Sequence, residues 1–238
     1  MFKVFFDHSV RQDAVVAEDG YVFADGKILG HCYQYLKPHR ADRPLRSDWK
    51  QQEISALTNI ARLIYEEHII AYSSVELENE GFQVETIGGH SPVDIFHGCI
   101  FREAAAPLER SKWGLPLDTV MSKQAVIDYC KCFFLSPNPS RIEQFIDGMR
   151  RNSRYSLTEY EEKCLRNAHV FKDICHGISE NHYPDALHLW TAEENSLDVF
   201  LTHDKKFKNV VERQKVKLHC RVMFPTQLLN ELQSGIKF

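Results

Sequence analysis

Apolar and polar positions follow two rhythms along this chain, and the rhythms place its elements. Residues 3–6, Lys-Val-Phe-Phe, form a short apolar stretch stopped by Asp7 and read as a buried strand. Gln51 to Glu67 sets Ile54, Leu57, Ile60, Ala61 and Ile64 three and four residues apart, the spacing of an amphipathic helix. His68 to Tyr72 reads as a second strand, after which Ser73 or Ser74 caps a helix beginning Val75-Glu-Leu-Glu78. Two capping boxes follow. Ser140-Arg-Ile-Glu143 opens a helix to about Arg151, and Ser156-Leu-Thr-Glu159 opens a longer one to about Ile178. On the longer one Leu157, Tyr160, Cys164, Ala168, Phe171 and Cys175 share a face. Residues 185–195 predict another helix, with Pro184 in its first turn. Val199 to Thr202 is a strand, and Val216–Leu218 with Val222–Phe224 suggests one more. Residues 20–44 mix Gly, Pro and charge without a clear period. Residues 81–120 are broken by a Gly88–Pro92 turn and by Pro107, Gly114 and Pro116.

Strands alternating with helices in this order predict an α/β fold with a central, mostly parallel sheet. No repeat or linker divides the chain, so residues 1–238 read as one domain carrying a mainly helical insertion at about 85–155. The composition agrees: 238 residues, 43% hydrophobic and 26% charged, exclude collagenous and wholly disordered classes. No apolar run approaches the roughly 20 residues of a membrane span, and the start lacks the basic and apolar regions of a secretory signal, so no membrane partner is expected. Cys32, Cys99, Cys130, Cys132, Cys164, Cys175 and Cys220 are scattered without zinc-site spacing, which suits reduced core residues and a cytoplasmic protein.

The candidate chemistry is acidic. In open parallel sheets functional residues collect beyond the carboxyl ends of the strands. Asp7 and Asp204 directly follow two of the predicted strands, Asp185 starts the helix leading to the second of them, and Glu76 lies in the first turn after the strand at 68–72. An Asp at such a position also serves as an ordinary cap or turn residue. Gathered together, however, the four acids would repel one another unless a cation neutralised them. Mg²⁺ and Mn²⁺ prefer oxygen ligands and suit such a cluster. Held there, either ion can activate water for attack on a phosphodiester.

The segment Pro184-Asp185-Ala-Leu-His-Leu-Trp-Thr-Ala192 through Val199-Phe-Leu-Thr202-His-Asp204-Lys-Lys-Phe207 resembles the carboxyl-terminal signature of the PIN-like nuclease superfamily. Phe224-Pro225-Thr-Gln-Leu-Leu229 resembles that family's closing strand and proline-started helix, and Val4-Phe-Phe-Asp7 its first strand and first acid. The likeness is good over 180–230, fair over 1–8 and 54–80, and absent over about 85–155. It implies a three-layer α/β/α fold and a metal-dependent endoribonuclease in which Asp7, Asp185 and Asp204 bind Mg²⁺ or Mn²⁺ and Thr202 supports them through its hydroxyl. The family's further Glu falls about six residues after the end of the second strand. Glu76 is favoured for it, with Glu80 and Glu78 as alternates. The substrate implied is RNA. A toxin of a toxin–antitoxin pair is one specialisation, with an antitoxin or other regulatory protein as partner, although this chain is longer than the compact toxins. A homodimer stays open.

The overall charge of −4 argues mildly against a nucleic-acid partner, but the basic residues are clustered. Lys205, Lys206, Lys208, Arg213, Lys215, Lys217 and Arg221 face a single Glu212 just after Asp204, and Arg150, Arg151 and Arg154 form a second cluster. Such a run is a solvated face or a grip for phosphates; Lys205, Lys206, Lys208 and Arg213 are the candidates for RNA contact. His182, His188 and His203 flank the acids, while Leu189 and Trp190 read as core. His90, Asp94 and His97 have a spacing that could grip a metal but lack supporting ligands. Two rival functions remain: a non-catalytic PIN-like module binding RNA or protein, and a metal-dependent phosphohydrolase acting on small molecules.

Overall fold

The computed structural model describes residues 1–24, 27–35, 48–77, 92–110, 122–151, 157–214 and 216–235. Its elements run β1 (Phe2–Phe6), α1 (His8–Ala14), β2 (Val15–Ala24), β3 (Lys27–Tyr35), α2 (Asp48–Tyr65), β4 (Ile69–Ser73), β5 (Pro92–Asp94), β6 (Phe101–Glu103), α3 (Lys123–Cys130), α4 (Ile142–Arg151), α5 (Glu159–Arg166), α6 (Ala168–Cys175), α7 (Tyr183–Glu194), β7 (Val199–Leu201), α8 (Lys205–Gln214), β8 (Arg221–Met223) and α9 (Pro225–Gly235).

The architecture is α/β around a five-stranded sheet of order β6-β4-β1-β7-β8, every pair parallel. Val4 stands opposite both Ala71 and Val199, which puts β1 in the middle. A central parallel strand is covered on both faces and so reads as a continuous apolar run, as Val4-Phe5-Phe6 does. One face carries Val4, Phe6, Ile69, Ala71, Val199 and Leu201 against Val10 of α1, Leu57 and Ile60 of α2, and Leu228 and Leu232 of α9. The opposite face carries Phe5 and Phe200 against Leu187 and Trp190 of α7 and Phe207 and Val211 of α8. Helices thus cover both faces, an arrangement compatible with three layers. Each fully buried side chain of this size contributes about 1.5–3 kcal/mol. As expected, Leu189 and Trp190 are core: Trp190 is wholly buried, 4.8 Å from the Phe134 ring and 5.3 Å from Phe171.

Other parts depart from the sequence pattern. β2 and β3 pair antiparallel in the stretch that gave no assignment, with β5 on the other side of β2 as a second, three-stranded sheet. β6, inside the interval expected to be mainly helical, joins the main sheet beside β4. The single helix expected from Ser156 to about Ile178 is two, α5 and α6, divided at Asn167. Its capping box is Thr158 with Glu161, because Thr-x-x-Glu fits two residues downstream of the Ser-x-x-Glu match. Ser140 makes no box either; its hydroxyl donates to Asn138 Oδ1 at 2.7 Å, while Glu143 pairs with Arg166. Residues 216–218 form no strand, whereas β8 and the proline-started α9 lie where the sequence puts them. Cys99, Cys130, Cys132, Cys164, Cys175 and Cys220 are free thiols. Among the described residues no helix is long and apolar enough to cross a membrane.

Candidate metal centre

Because β1, β4 and β7 are parallel, the residues beyond their last positions meet at one edge of the sheet. Asp7 follows β1; Thr202, His203 and Asp204 follow β7; Ser74 and Glu76 follow β4. α7 begins at the same edge and brings Asp185 in its first turn. The amino termini of α7 and α8 therefore face the acids, and their partial positive charge, roughly half an elementary charge per helix end, offsets some of the repulsion.

Hydroxyls hold Asp7, backbone amides hold Asp204, and an imidazole holds Asp185. Asp7 is 3% exposed, and its Oδ2 accepts hydrogen bonds from Ser9 Oγ at 2.6 Å and Thr202 Oγ1 at 2.8 Å. Thr202 Oγ1 in turn accepts from the Asp204 amide at 3.0 Å, and Ser9 Oγ accepts from the His203 amide at 3.0 Å. One buried hydroxyl thus ties the carboxylate of Asp7 to the backbone of Asp204. Asp204 Oδ1 caps α8, accepting from the amides of Lys206 at 2.8 Å and Phe207 at 2.9 Å. Its second oxygen, Oδ2, is turned toward His182, 3.7 Å away. Asp185 Oδ2 lies 2.9 Å from the same His182 Nδ1. Ligand atoms of His182, Asp185 and Asp204 all fall within 4.8 Å of one another. The three come from a turn, a helix start and a strand end.

Electrostatics mark Asp185 as the strained member. Burial pushes its carboxyl above the ordinary range and the negative charge of Asp7 adds to the rise, while the His182 hydrogen bond opposes both. His182 is shifted up reciprocally, chiefly by its hydrogen bond to Asp185. Oxygen donors that repel one another across a partly open space, with an imidazole among them, are a donor set that a small divalent cation would satisfy.

Glu76 sits elsewhere in charge terms. It is buried, and its Oε2 accepts from Arg110 Nε at 2.6 Å and pairs with the second guanidinium nitrogen. The fourth acid is therefore neutralised by a protein cation, and it is not in the cluster of His182, Asp185 and Asp204. The alternates Glu78 and Glu80, and His90 of the His-Asp-His spacing, lie outside the described residues.

The basic candidates divide in the same way. Lys206 and Arg213 are exposed on α8. Lys205 Nζ rests 3.6 Å above the Trp49 ring at the start of α2. Lys208 departs from the expected phosphate grip: it is 4% exposed, and its ammonium is already engaged by Glu212 and the face of Phe224. Arg150 pairs with Glu162 and Asp147. Sequence reasoning missed two partners at this edge, Ser9 and Asp13. Asp13 Oδ2 is 2.7 Å from His203 Nδ1 and ion-paired with Lys50. Only the one-turn spacing of Ser9 and Asp13, in the helix directly after Asp7, hinted at either.

Compared with known proteins, the chain matches no family model, no curated protein and no solved structure.

Proposed function

We propose that the chain is a PIN-like, metal-dependent endoribonuclease that hydrolyses RNA phosphodiesters. The observation that supports this reading is the grouping of Asp185 and Asp204 with His182 at the carboxyl edge of a parallel sheet; Asp7, expected as a ligand, is not in that group but acts electrostatically on Asp185 and is bridged by the Thr202 hydroxyl to the Asp204 backbone. Asp185 and Asp204 would hold Mg²⁺ or Mn²⁺ directly. Asp7, whose Oδ2 already accepts two hydroxyl bonds, adds negative charge and fixes the loop that carries Asp204. When bound, the ion supplies Lewis acidity to water and to the scissile phosphate. Lys206 and Arg213, exposed on the helix that Asp204 caps, would grip the phosphate backbone.

A second reading has its own support. With Glu76 neutralised by Arg110, the acidic set is one carboxylate short of the four that the resemblance implies, which favours a non-catalytic module that binds RNA or protein. One experiment separates the two: incubate the purified chain with structured and single-stranded RNAs and Mn²⁺, beside an Asp204→Asn variant. Asparagine caps helices about as well as aspartate, so this variant keeps α8 while removing the charge. Cleavage by the native chain that falls at least 100-fold in the variant is the expected result. Equal cleavage by both, or none by either while RNA still binds, sinks the nuclease reading. Hydrolysis of small phosphate esters without RNA cleavage points to a phosphohydrolase.

A further inference from the structure

We propose that His182 is a nitrogen ligand of the same cation, so that the centre is a mixed His-Asp-Asp site selecting Mn²⁺ over Mg²⁺; this rests on the metal-site reading above. Donors sharing one octahedral ion at about 2.1 Å sit about 3 Å apart when adjacent and about 4.2 Å apart when opposite. His182 Nδ1 lies 2.9 Å from Asp185 Oδ2 and 3.7 Å from Asp204 Oδ2, and all the ligand atoms of the three lie within 4.8 Å. The two separations from His182 fall within the range a single ion requires.

The orientation of the imidazole is fixed by its neighbours. His182 ends the turn Glu180–His182 that leads into α7, so Asp185 is three residues on and on the same side. Its ring stacks on Phe207, 6.3 Å between centroids and 28° from parallel, and Phe207 is itself buried. Nδ1 is the nitrogen presented to both carboxylates. At 27% side-chain exposure the residue is reachable by a hydrated ion, whereas the pairing of Glu76 with Arg110 leaves no such access there. As a ligand His182 is the neutral imidazole with its proton on Nε2.

The chemical consequence is selectivity. Mg²⁺ demands oxygen donors and gives up its waters reluctantly, while a nitrogen donor favours first-row transition-metal ions over it, least strongly Mn²⁺ at the foot of the Irving–Williams order and more strongly the metals beyond it. Two carboxylates alone would not discriminate in this way.

The test uses the full chain and Mn²⁺ alone, without RNA. Electron spin-echo modulation of bound Mn²⁺ reports a directly coordinated ¹⁴N nucleus. The native chain is expected to show it, and His182→Ala to lose it, with Mn²⁺ affinity falling about tenfold or more and Mg²⁺ affinity changing less than about threefold. Thermal melts confirm that the variant is folded. Mn²⁺ bound by the native chain without ¹⁴N modulation overturns ligation by His182 and leaves the carboxylate site standing. Modulation that persists in His182→Ala also overturns it and assigns the nitrogen to another histidine. Failure of the native chain to bind Mn²⁺ overturns the metal-site reading itself and this inference with it.

Discussion

The ion pair between Arg110 and Glu76 offers a quantitative test of how the fourth acid is used. Both side chains are buried, at 4% and 7% exposure, and they sit among Leu77, Leu108, Val126 and Tyr129 of the larger core. The guanidinium also lies 5.9 Å over the Tyr129 ring, whose hydroxyl donates to the Leu108 carbonyl at 2.6 Å. Replacing Arg110 with Met leaves Glu76 as an uncompensated buried charge, which costs about 3–5 kcal/mol. For a chain of this length that corresponds to a melting temperature lower by about 6–20 °C. Glu76→Leu removes the carboxylate beside the buried guanidinium and is also destabilising, but the double variant removes both charges and is expected within about 1 kcal/mol of the native chain. Urea denaturation of the four proteins gives the coupling directly. Single variants that lose less than about 1 kcal/mol, or losses that simply add in the double variant, refute the argument that Glu76 exists to pair with Arg110. The same proteins test the site. If the charge of Glu76 is committed to Arg110, Glu76→Leu with Arg110→Met binds Mn²⁺ as the native chain does, within about threefold. A 100-fold loss would return Glu76 to the set of ligands.

Two further outcomes follow from the network around Asp7. Thr202→Val keeps the shape of a fully buried side chain but removes the donor to Asp7 and the acceptor for the Asp204 amide, so stability in urea should fall by about 1–3 kcal/mol while Thr202→Ser stays near native. Burial alone would raise the Asp13 carboxyl, but hydrogen bonds from His203 and Lys50 outweigh it and hold it below its ordinary value near 3.8. A depressed carboxylate contributes stability above its unfolded pKa and loses it as pH falls through the folded one. The stability gap between the native chain and Asp13→Asn should therefore stay level from pH 7 to about 5 and shrink below about 4, and a gap that widens on acidification refutes it.

Elements whose local pattern agrees with their final burial were legible. β1, β4 and β7 are short apolar runs closed by polar residues, α2 carries an apolar stripe, and α7 and α9 each have a proline in the first turn. The hairpin of β2 and β3 was not read, because Gly20 and Gly30 interrupt the alternation. The Asp25-Gly26 dipeptide between two apolar runs is the turn signal that would have found it. β6 has three residues and a half-exposed surface, too short for any period to show. α8 was masked by its own charge. Read as a basic run, it nevertheless buries Phe207 and Val211 four residues apart, behind an Asp204 cap.

The site divides along the same line, between what a residue's place in its strand dictates and what only the folded chain brings near. An Asp within a few residues of the end of a central parallel strand has few places to go but the carboxyl edge, so the position of Asp7 and Asp204 at that edge could be read from neighbouring residues alone. Asp185 follows because the helix leading into a parallel strand must begin at that same edge. Nothing in the positions around Glu76 foretells Arg110, 34 residues later, yet that pairing decides whether the edge carries four net charges or three. His182 is the mirror case. A histidine near an acid is most often a hydrogen-bond partner, and only the convergence of its Nδ1 on carboxylates from two separate segments gives it a second use. In both cases the decisive fact is which cation stands beside a carboxylate. For Glu76 it is a guanidinium supplied by the chain, while at Asp185 and Asp204 a partly exposed imidazole would stand beside the ion we propose.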